Sequence, residues 1–569
     1  MEYKPQNVIC QNCKTQFTIE PEDFNFYEKI KVPPPTWCPQ CRMERRMSFV
    51  NAWNVSFRNC DKCGKKTLSI YSPEQEIVVY CSACFWADDW DGTEYGMEYD
   101  PNKPFLKQIQ ELSEKTPFSP LDTLYKSLKN SEYSNGIAWS KNCYLTFWAD
   151  YCEDVYYSSI LNLLKFSADC LRAQESELCY ESIGVAKCYQ CFFSEECDAC
   201  VNVWFSRNCY SCTNCIGCVN LRGASNYIFN VKYGKVEYEK KVKELNLDSW
   251  TDLQKLSEES YKFWLTKPKR EYNGNSLNIN VTGEHVFNSR NSKEMYICVG
   301  AENCKWCELI TVPPVKDAYD YSGWGNNSEL IYECASVGEN ANNVKFSYQC
   351  FPDTLNLKYC FWCIAGKNNF GCVSLKRKKY CILNKEYEKE EYEKLKAKII
   401  EDMKTNPYID KLGRKYYYGE FFPPEMSKLA YNKSNAMKFL PKTKEEALRE
   451  GYSWSDKEDT LYKTSILAIS LPEKIIDTEE NILNEVVECK NCSRGYKITQ
   501  GELNLLRKMN LPVPHHCPKC RENRRFSRIT KPKLYKRFCM KCNLDIYTSF
   551  SPERPDIVYC VKCYQQEFA

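Results

Sequence analysis

Histidine is almost missing. Only His285, His515 and His516 occur among 569 residues. That removes the commonest general base and any H-E-x-x-H type of metal site. No glycine-rich loop ends in Lys-Ser/Thr, and no G-x-S-x-G occurs, so phosphate-loop and serine-hydrolase chemistry lack their motifs. Carboxylates are plentiful but follow no pattern, and the expectation is a protein that is not an enzyme and has no small-molecule substrate. No stretch reaches the roughly 18 consecutive apolar residues of a membrane helix. Net charge is only +3, so the chain as a whole carries no electrostatic pointer to nucleic acid. The start, MEYKPQNVIC, lacks a basic and then apolar leader. A reducing, cytoplasmic or nuclear setting is therefore expected, with a virion as the exception that would overturn it.

Cysteine is abundant, at 37 residues, and its arrangement is the main signal. Cys10, Cys13, Cys38, Cys41, Cys60, Cys63, Cys81 and Cys84 form four C-x-x-C pairs near the start. Cys489, Cys492, Cys517, Cys520, Cys539, Cys542, Cys560 and Cys563 repeat them with a constant offset of 479. Neighbouring residues repeat too: Cys38-Pro39-Gln40-Cys41-Arg42 matches Cys517-Pro518-Lys519-Cys520-Arg521, and Arg45-Arg46 matches Arg524-Arg525. A C-x-x-C turn aims two thiolates at one ion, and two such knuckles complete a closed tetrahedral site. Four zinc sites with four cysteines each are expected. Spacing alone leaves sequential and cross-braced pairing both open.

Between these modules lie 21 further cysteines, many on a nine-residue rhythm: Cys143, Cys152, Cys170, Cys179, Cys188 and Cys197. A track three residues ahead runs through Cys191, Cys200, Cys209 and Cys218. Such a rhythm, in a stretch rich in strand formers, predicts a β-solenoid whose equivalent residues stack in ladders. Its cysteines are expected to pack as small apolar residues, with extra metal or cross-coil disulfides as alternatives. The middle is itself duplicated at an offset of 154: Gly217-Cys218-Val219 matches Gly371-Cys372-Val373, and Tyr238 matches Tyr392.

The expected fold class is mainly β with helical segments: duplicated double zinc-ribbon modules at both ends of a two-part, Cys-laddered β-solenoid. The expected division is a module over 1–100, a helical linker over 101–139, a first solenoid over 140–230 and a helical segment over 231–279. A second solenoid follows over 280–384, then a helical or irregular linker over 385–485 and the last module over 486–569. Helices are expected at Lys103 to Lys115, Val236 to Leu256, Glu386 to Met403 and Thr443 to Glu450.

Charge separates the two end modules. From Val486 onward there are 17 Lys/Arg against 7 Asp/Glu, while up to Cys84 there are 11 against 9. Arg521, Arg524, Arg525 and Arg528 fall on one helical face. Lys531, Lys533, Lys536 and Arg537 continue the basic run, with Tyr535 and Phe538 interleaved. Basic and aromatic residues on a zinc ribbon suit the phosphate backbones of nucleic acid, with base stacking. The alternative is a solvated or salt-bridged face, one form of which docks on acidic parts of this same protein.

The module Cys10 to Cys41 with its VPPP-x-x-CPxCR-x-x-RR ending, the segment Trp86 to Gly96, and GCVNLR and YIFN in the middle carry a resemblance, as does Gly419 to Glu425 leading to Thr443-Lys444-Glu445-Glu446. The chain resembles an uncharacterised family of zinc-ribbon proteins of uncultivated small-genome bacteria and some giant viruses. The resemblance implies the architecture and no activity. The expected function is a non-enzymatic, zinc-binding scaffold that binds another macromolecule, through a protein partner or self-assembly. Nucleic-acid binding through the C-terminal module is the first alternative, and a thiol-rich metal store the second.

Overall fold

Ile137, Cys143, Ala149, Cys152 and Val155 are buried in one core, and every one sits a multiple of three residues from the next. Immediately before the later ones come Asn142, Trp148, Tyr151 and Asp154, all at positive φ. This triplet unit continues through Cys170, Cys188 and Cys215. A left-handed residue turns the chain sharply, which β-branched side chains resist and asparagine tolerates. One buried side chain per triplet suits small residues, and cysteine meets that need as a compact apolar group.

The computed structural model describes residues 3–275, 277–456 and 462–568. Strands dominate, mixed with helices. In the first half of the middle, parallel pairing steps by twelve residues. Asn135 meets Phe147, Phe147 meets Ser159, and Ser159 meets Leu171. The column goes on through Ile183, Glu195, Arg207 and Val219 as isolated bridges. Strands Tyr189–Phe192, Val201–Trp204, Thr213–Ile216 and Ser225–Ile228 build a second ladder with the same step. Asparagines at the corners add a ladder of their own: Asn202 donates to Asn214 at 2.9 Å and Asn214 to Asn226 at 3.1 Å.

The expected nine-residue unit is therefore not the pairing register. Nine is three triplets and the register is four, so cysteines nine apart occupy neighbouring corners of adjacent layers. The ladder also begins earlier than residue 140, with Lys129 bridging Lys141. In the second half the step varies: Ile279 meets Arg290, Tyr296 meets Glu308, Val315 meets Ser328 and Lys305 meets Tyr319. These longer and uneven layers hide the rhythm of the second half.

Each half of the middle ends the same way. A short antiparallel return pairs Tyr227 with Lys232, and Cys381 with Glu386. A helix follows, Lys235–Glu244 or Lys389–Thr405, with Tyr238 or Tyr392 buried in its first turns. The expected helix from Val236 to Leu256 is two helices, the second, Trp250–Leu265, being N-capped by Ser249. Helices at Phe105–Lys115 and Lys444–Arg449 match expectation. Among the described residues no helix is long and apolar enough to cross a membrane.

Candidate metal centres and the arginine clasps

All sixteen module cysteines come together in four groups: Cys10, Cys13, Cys38 and Cys41; Cys60, Cys63, Cys81 and Cys84; Cys489, Cys492, Cys517 and Cys520; Cys539, Cys542, Cys560 and Cys563. Within each group the sulfurs lie within 4.8 Å of one another. The pairing is sequential, first knuckle with second and third with fourth. Cys13 and Cys38 are 3.7 Å apart, Cys63 and Cys81 3.9 Å, Cys492 and Cys517 3.8 Å, and Cys542 and Cys560 3.8 Å. Four sulfurs at the usual zinc–thiolate length of about 2.3 Å stand about 3.8 Å apart in a tetrahedron, so the donor sets fit a tetrahedral thiophilic ion.

Each group is ordered by backbone donors. The amide of Cys38 donates to Cys10 Sγ at 3.3 Å, that of Cys81 to Cys60 at 3.1 Å, that of Cys517 to Cys489 at 3.2 Å and that of Cys560 to Cys539 at 3.2 Å. Asn12 and Asn491 donate to Cys41 and Cys520 at 3.3 and 3.4 Å. Burial pushes the Cys60 and Cys539 thiols up, but amides from the facing knuckle and their own turn outweigh it and bring them down to about 7 and about 6. Such donors stabilise thiolates and fix their orientation. His515 stacks on Trp250 at 4.1 Å.

The helix Pro518–Arg528 begins inside the third cysteine group, with Cys517 as its N-cap. Its basic face points inward. Arg521 meets Asp169 at 2.9 Å and Glu502 at 2.9 Å. Arg525 meets Asp169 at 2.7 Å and Glu181 at 3.6 Å. Arg524 meets Glu181 at 2.6 Å, and Arg528 meets Glu195 at 2.5 Å. Arg521 and Arg525 are only 1% and 3% exposed. These two guanidinium groups are enclosed within the fold, where a nucleic-acid backbone does not reach them. The pairing with acidic residues of the same chain is the one that forms.

The N-terminal helix Pro39–Met47 repeats the arrangement on the other half. Arg42 meets Asp320 at 2.8 Å, Arg46 meets Asp320 at 3.1 Å and Glu333 at 3.4 Å, and Arg45 meets Glu333 at 2.9 Å. Arg42, Arg45 and Arg46 are fully buried. Thus the N-terminal module holds the second half of the middle, and the C-terminal module holds the first. Asp169, Glu181, Asp320 and Glu333, four of the acidic partners, were not singled out from the sequence. All four sit at positive-φ corners, Asp169 and Glu181 in one half and Asp320 and Glu333 in the other. The triplet register, read correctly, marks them as side chains one layer apart on a shared column.

The remaining basic candidates divide. Lys531 donates to the Lys438 carbonyl at 3.0 Å, and Arg537 donates to the carbonyls of Phe550, Ser551 and Asp556 at 3.4, 3.3 and 3.4 Å. Lys536 pairs with Asp545 at 2.9 Å on the outside of the last hairpin. Lys533 is exposed beside the Tyr535 ring. The same hairpin exposes Phe538 and Tyr547 at 59% and 65%.

The 21 remaining cysteines are buried and unbridged, and none of them joins a group of metal donors among the described residues. Their thiols donate to carbonyls of their own and the next layer, as Cys200 does to Asp198 and Cys209 at 3.3 and 3.4 Å.

No protein-family profile, curated protein or solved structure matches this chain.

Proposed function

We propose that the protein is a non-enzymatic, zinc-stabilised scaffold whose middle is a two-part β-solenoid with four short sides per twelve-residue coil, and whose surface binds another macromolecule. Zinc is the ion of choice because four thiolates at tetrahedral spacing suit it and leave no open coordination position for catalysis. The observation that carries the reading is the clasping of each cysteine module onto the ladder by buried arginine–carboxylate pairs. That geometry gives the modules an internal, structural duty. The seven-part division of the chain belongs to this proposal, with the first solenoid extended back to Lys129. The outer face of the first solenoid, where Tyr151, Tyr189, Val201 and Tyr210 are 50%, 43%, 42% and 49% exposed, is the broad surface offered to a protein partner.

The test is native mass spectrometry with metal analysis on the purified chain. Four tightly held zinc ions per chain support the scaffold. Uptake of many more ions that exchange freely would sink it in favour of a metal store.

A second reading, nucleic-acid binding, is favoured by Phe538 and Tyr547, exposed on the same face of the last hairpin as Lys536. Exposed rings on a basic hairpin suit single strands. Titration with short single-stranded RNA and DNA across a salt series decides it. Binding lost in Phe538→Ala with Tyr547→Ala supports it, and no binding at low salt retires it.

A further inference from the structure

The two halves of the middle differ sharply at one column. In the first half the column reads Tyr180, Phe192, Trp204, Ile216 and Ile228, and in the second Tyr332, Lys345, Lys358, Phe370 and Ile382. The pairs Ile216/Phe370 and Ile228/Ile382 keep the 154-residue offset, so Lys345 and Lys358 stand where the other half has Phe192 and Trp204. There the two ring centroids lie 4.2 Å apart, with the planes tilted by 31°. Beside them is a cavity of about 100 Å³, lined also by Asn202, Lys508 and Met509. By the 479-residue offset, Lys508, Met509 and Asn510 correspond to Lys29, Ile30 and Lys31. The helix Pro21–Ile30 packs on the head of the lysine column, with the Tyr27 ring 5.5 Å from that of Tyr332, and Lys31 is its C-cap.

Two lysines on directly paired strands repel each other, and an ammonium buried without a counter-charge is costly. Lys345 is 2% exposed, and its only described partner is the side-chain oxygen of Asn343. Lys358 lies 5.4 Å over the Tyr418 ring. Among the described residues neither lysine makes an ion pair, and Lys31 makes none. Glu393, the carboxylate that acts on Lys358, is already held by Lys396 at 2.5 Å. Burial first, and then the charges of Lys358, Lys31 and Lys396, bring the Lys345 ammonium down to about 7. The C-terminal end of the helix offers about half a negative charge, which does not balance four ammonium groups against one carboxylate.

We propose that Lys345, Lys358 and Lys31 form a binding site for a phosphate-type oxyanion, between the second ladder and the end of the helix Pro21–Ile30. A compact, multiply charged oxyanion answers several converging ammonium groups, whereas a single carboxylate would neutralise only one. The aromatic pair of the other half has no such function, which accounts for the divergence of an otherwise duplicated column.

The experiment is isothermal titration of the full-length, metal-loaded protein with inorganic phosphate and, separately, with adenosine monophosphate at fixed ionic strength. Saturable binding of one ion per chain is expected with at least one probe. Binding of phosphate alone identifies a free-ion site, and binding of the monophosphate alone a phosphomonoester site. Lys345→Met and Lys31→Gln are each expected to weaken that binding by about tenfold, the size of one lost charge-assisted contact. Lys31 lies at an exposed helix cap, so its variant keeps the test decisive if Lys345→Met fails to fold. No saturable binding of either probe at millimolar concentration overturns the proposal, as does binding that Lys31→Gln leaves unchanged.

Discussion

Arg521 lies 2.9 Å from Asp169, and Arg42, its counterpart 479 positions earlier, lies 2.8 Å from Asp320. The correspondence extends to the neighbours: Arg525 and Arg46 join the same aspartates, and Arg524 and Arg45 take the glutamates one layer on. The duplicated modules are thus crossed over the duplicated middle. Through these arginines each terminal module is joined to the half of the middle that is farther away in sequence. The two halves are tied together by this crossing as well as by the chain between them. Buried ion pairs of this kind contribute little net stability, because desolvation offsets attraction. Their effect is to fix which layer of the ladder each module sits on.

Breaking one pair tests that effect. Arg525→Met leaves Asp169 and Glu181 with one cation fewer in a dry site, and Arg46→Met does the same to Asp320 and Glu333. Each substitution is expected to destabilise the protein by about 3 kcal/mol, as for removal of one partner from a buried pair. The two sites share no residue, so the costs should add. Urea unfolding midpoints measure this. Losses below about 1 kcal/mol for both variants would contradict an interior, paired role.

Metal content separates the two kinds of cysteine. The native protein is expected to carry four zinc ions, Cys542→Ser three and Cys191→Ser four. Cys542 belongs to a donor group, whereas Cys191 is a fully buried ladder residue outside every such group. Elemental analysis after gel filtration reads the difference. Loss of the fourth ion should also lower the unfolding temperature, because a structural zinc site contributes on the order of 10 kcal/mol to its module. Four ions in both variants would detach Cys542 from metal binding.

The cysteine pairs were legible because a knuckle is a local chemical unit: two thiolates on one tight turn, repeated with unchanged spacing. The order of pairing was not, since it depends on how Cys38 folds back on Cys13, and spacing fits either scheme. The ladder was legible through its cysteines, yet its period was misread. Cysteine occupies only some of the inward positions; Ser158, Ser182, Ser194 and Ser206 fill others. A period drawn from cysteine alone therefore falls on nine when the true unit is three and the layer twelve. The arginine face of Arg521, Arg524, Arg525 and Arg528 was correctly placed on one side of a helix. Its direction was hidden, because Asp169, Glu181 and Glu195, which receive most of it, lie more than 300 residues away in sequence.

Corner residues carry a backbone cost that a substitution can expose. Asn214 has φ of 54°, accepts from Asn202 and donates to Asn226. Asn214→Val removes both hydrogen bonds and places a β-branched residue in a left-handed conformation. A loss of about 3 kcal/mol is expected. Asn214→Gly loses the same bonds but meets no steric penalty, and should cost about half as much. Equal losses from thermal or urea unfolding would show that the corner conformation is not what asparagine supplies there.

Glu284 gives the protein a pH dependence of definite sign. It is 1% exposed. It accepts from Asn273 at 2.8 Å and from Ser549 at 2.9 Å, and His285 Nε2 lies 3.3 Å away. Across His285 stands Glu196, itself bonded to Arg172. Burial raises Glu284 to about 7, against the partial opposition of its two hydrogen-bond donors. A carboxyl group whose folded value lies above its unfolded one favours the folded state while protonated. That contribution is complete below the unfolded value and is lost as pH rises through about 7. Glu284→Gln keeps an amide of the same shape that does not ionise. Between pH 6 and pH 8 the native protein should therefore lose about 1 kcal/mol more stability than the variant. Urea unfolding at the two pH values, with zinc content checked at both, measures the difference. Asp150 is likewise raised to about 7 by burial, so some slope should persist in the variant. Identical slopes in the two proteins would mean that Glu284 is already ionised, held so by His285 or by Arg172. The joint between the last hairpin and the start of the second ladder would then be a charged contact, and not the neutral one that its burial dictates.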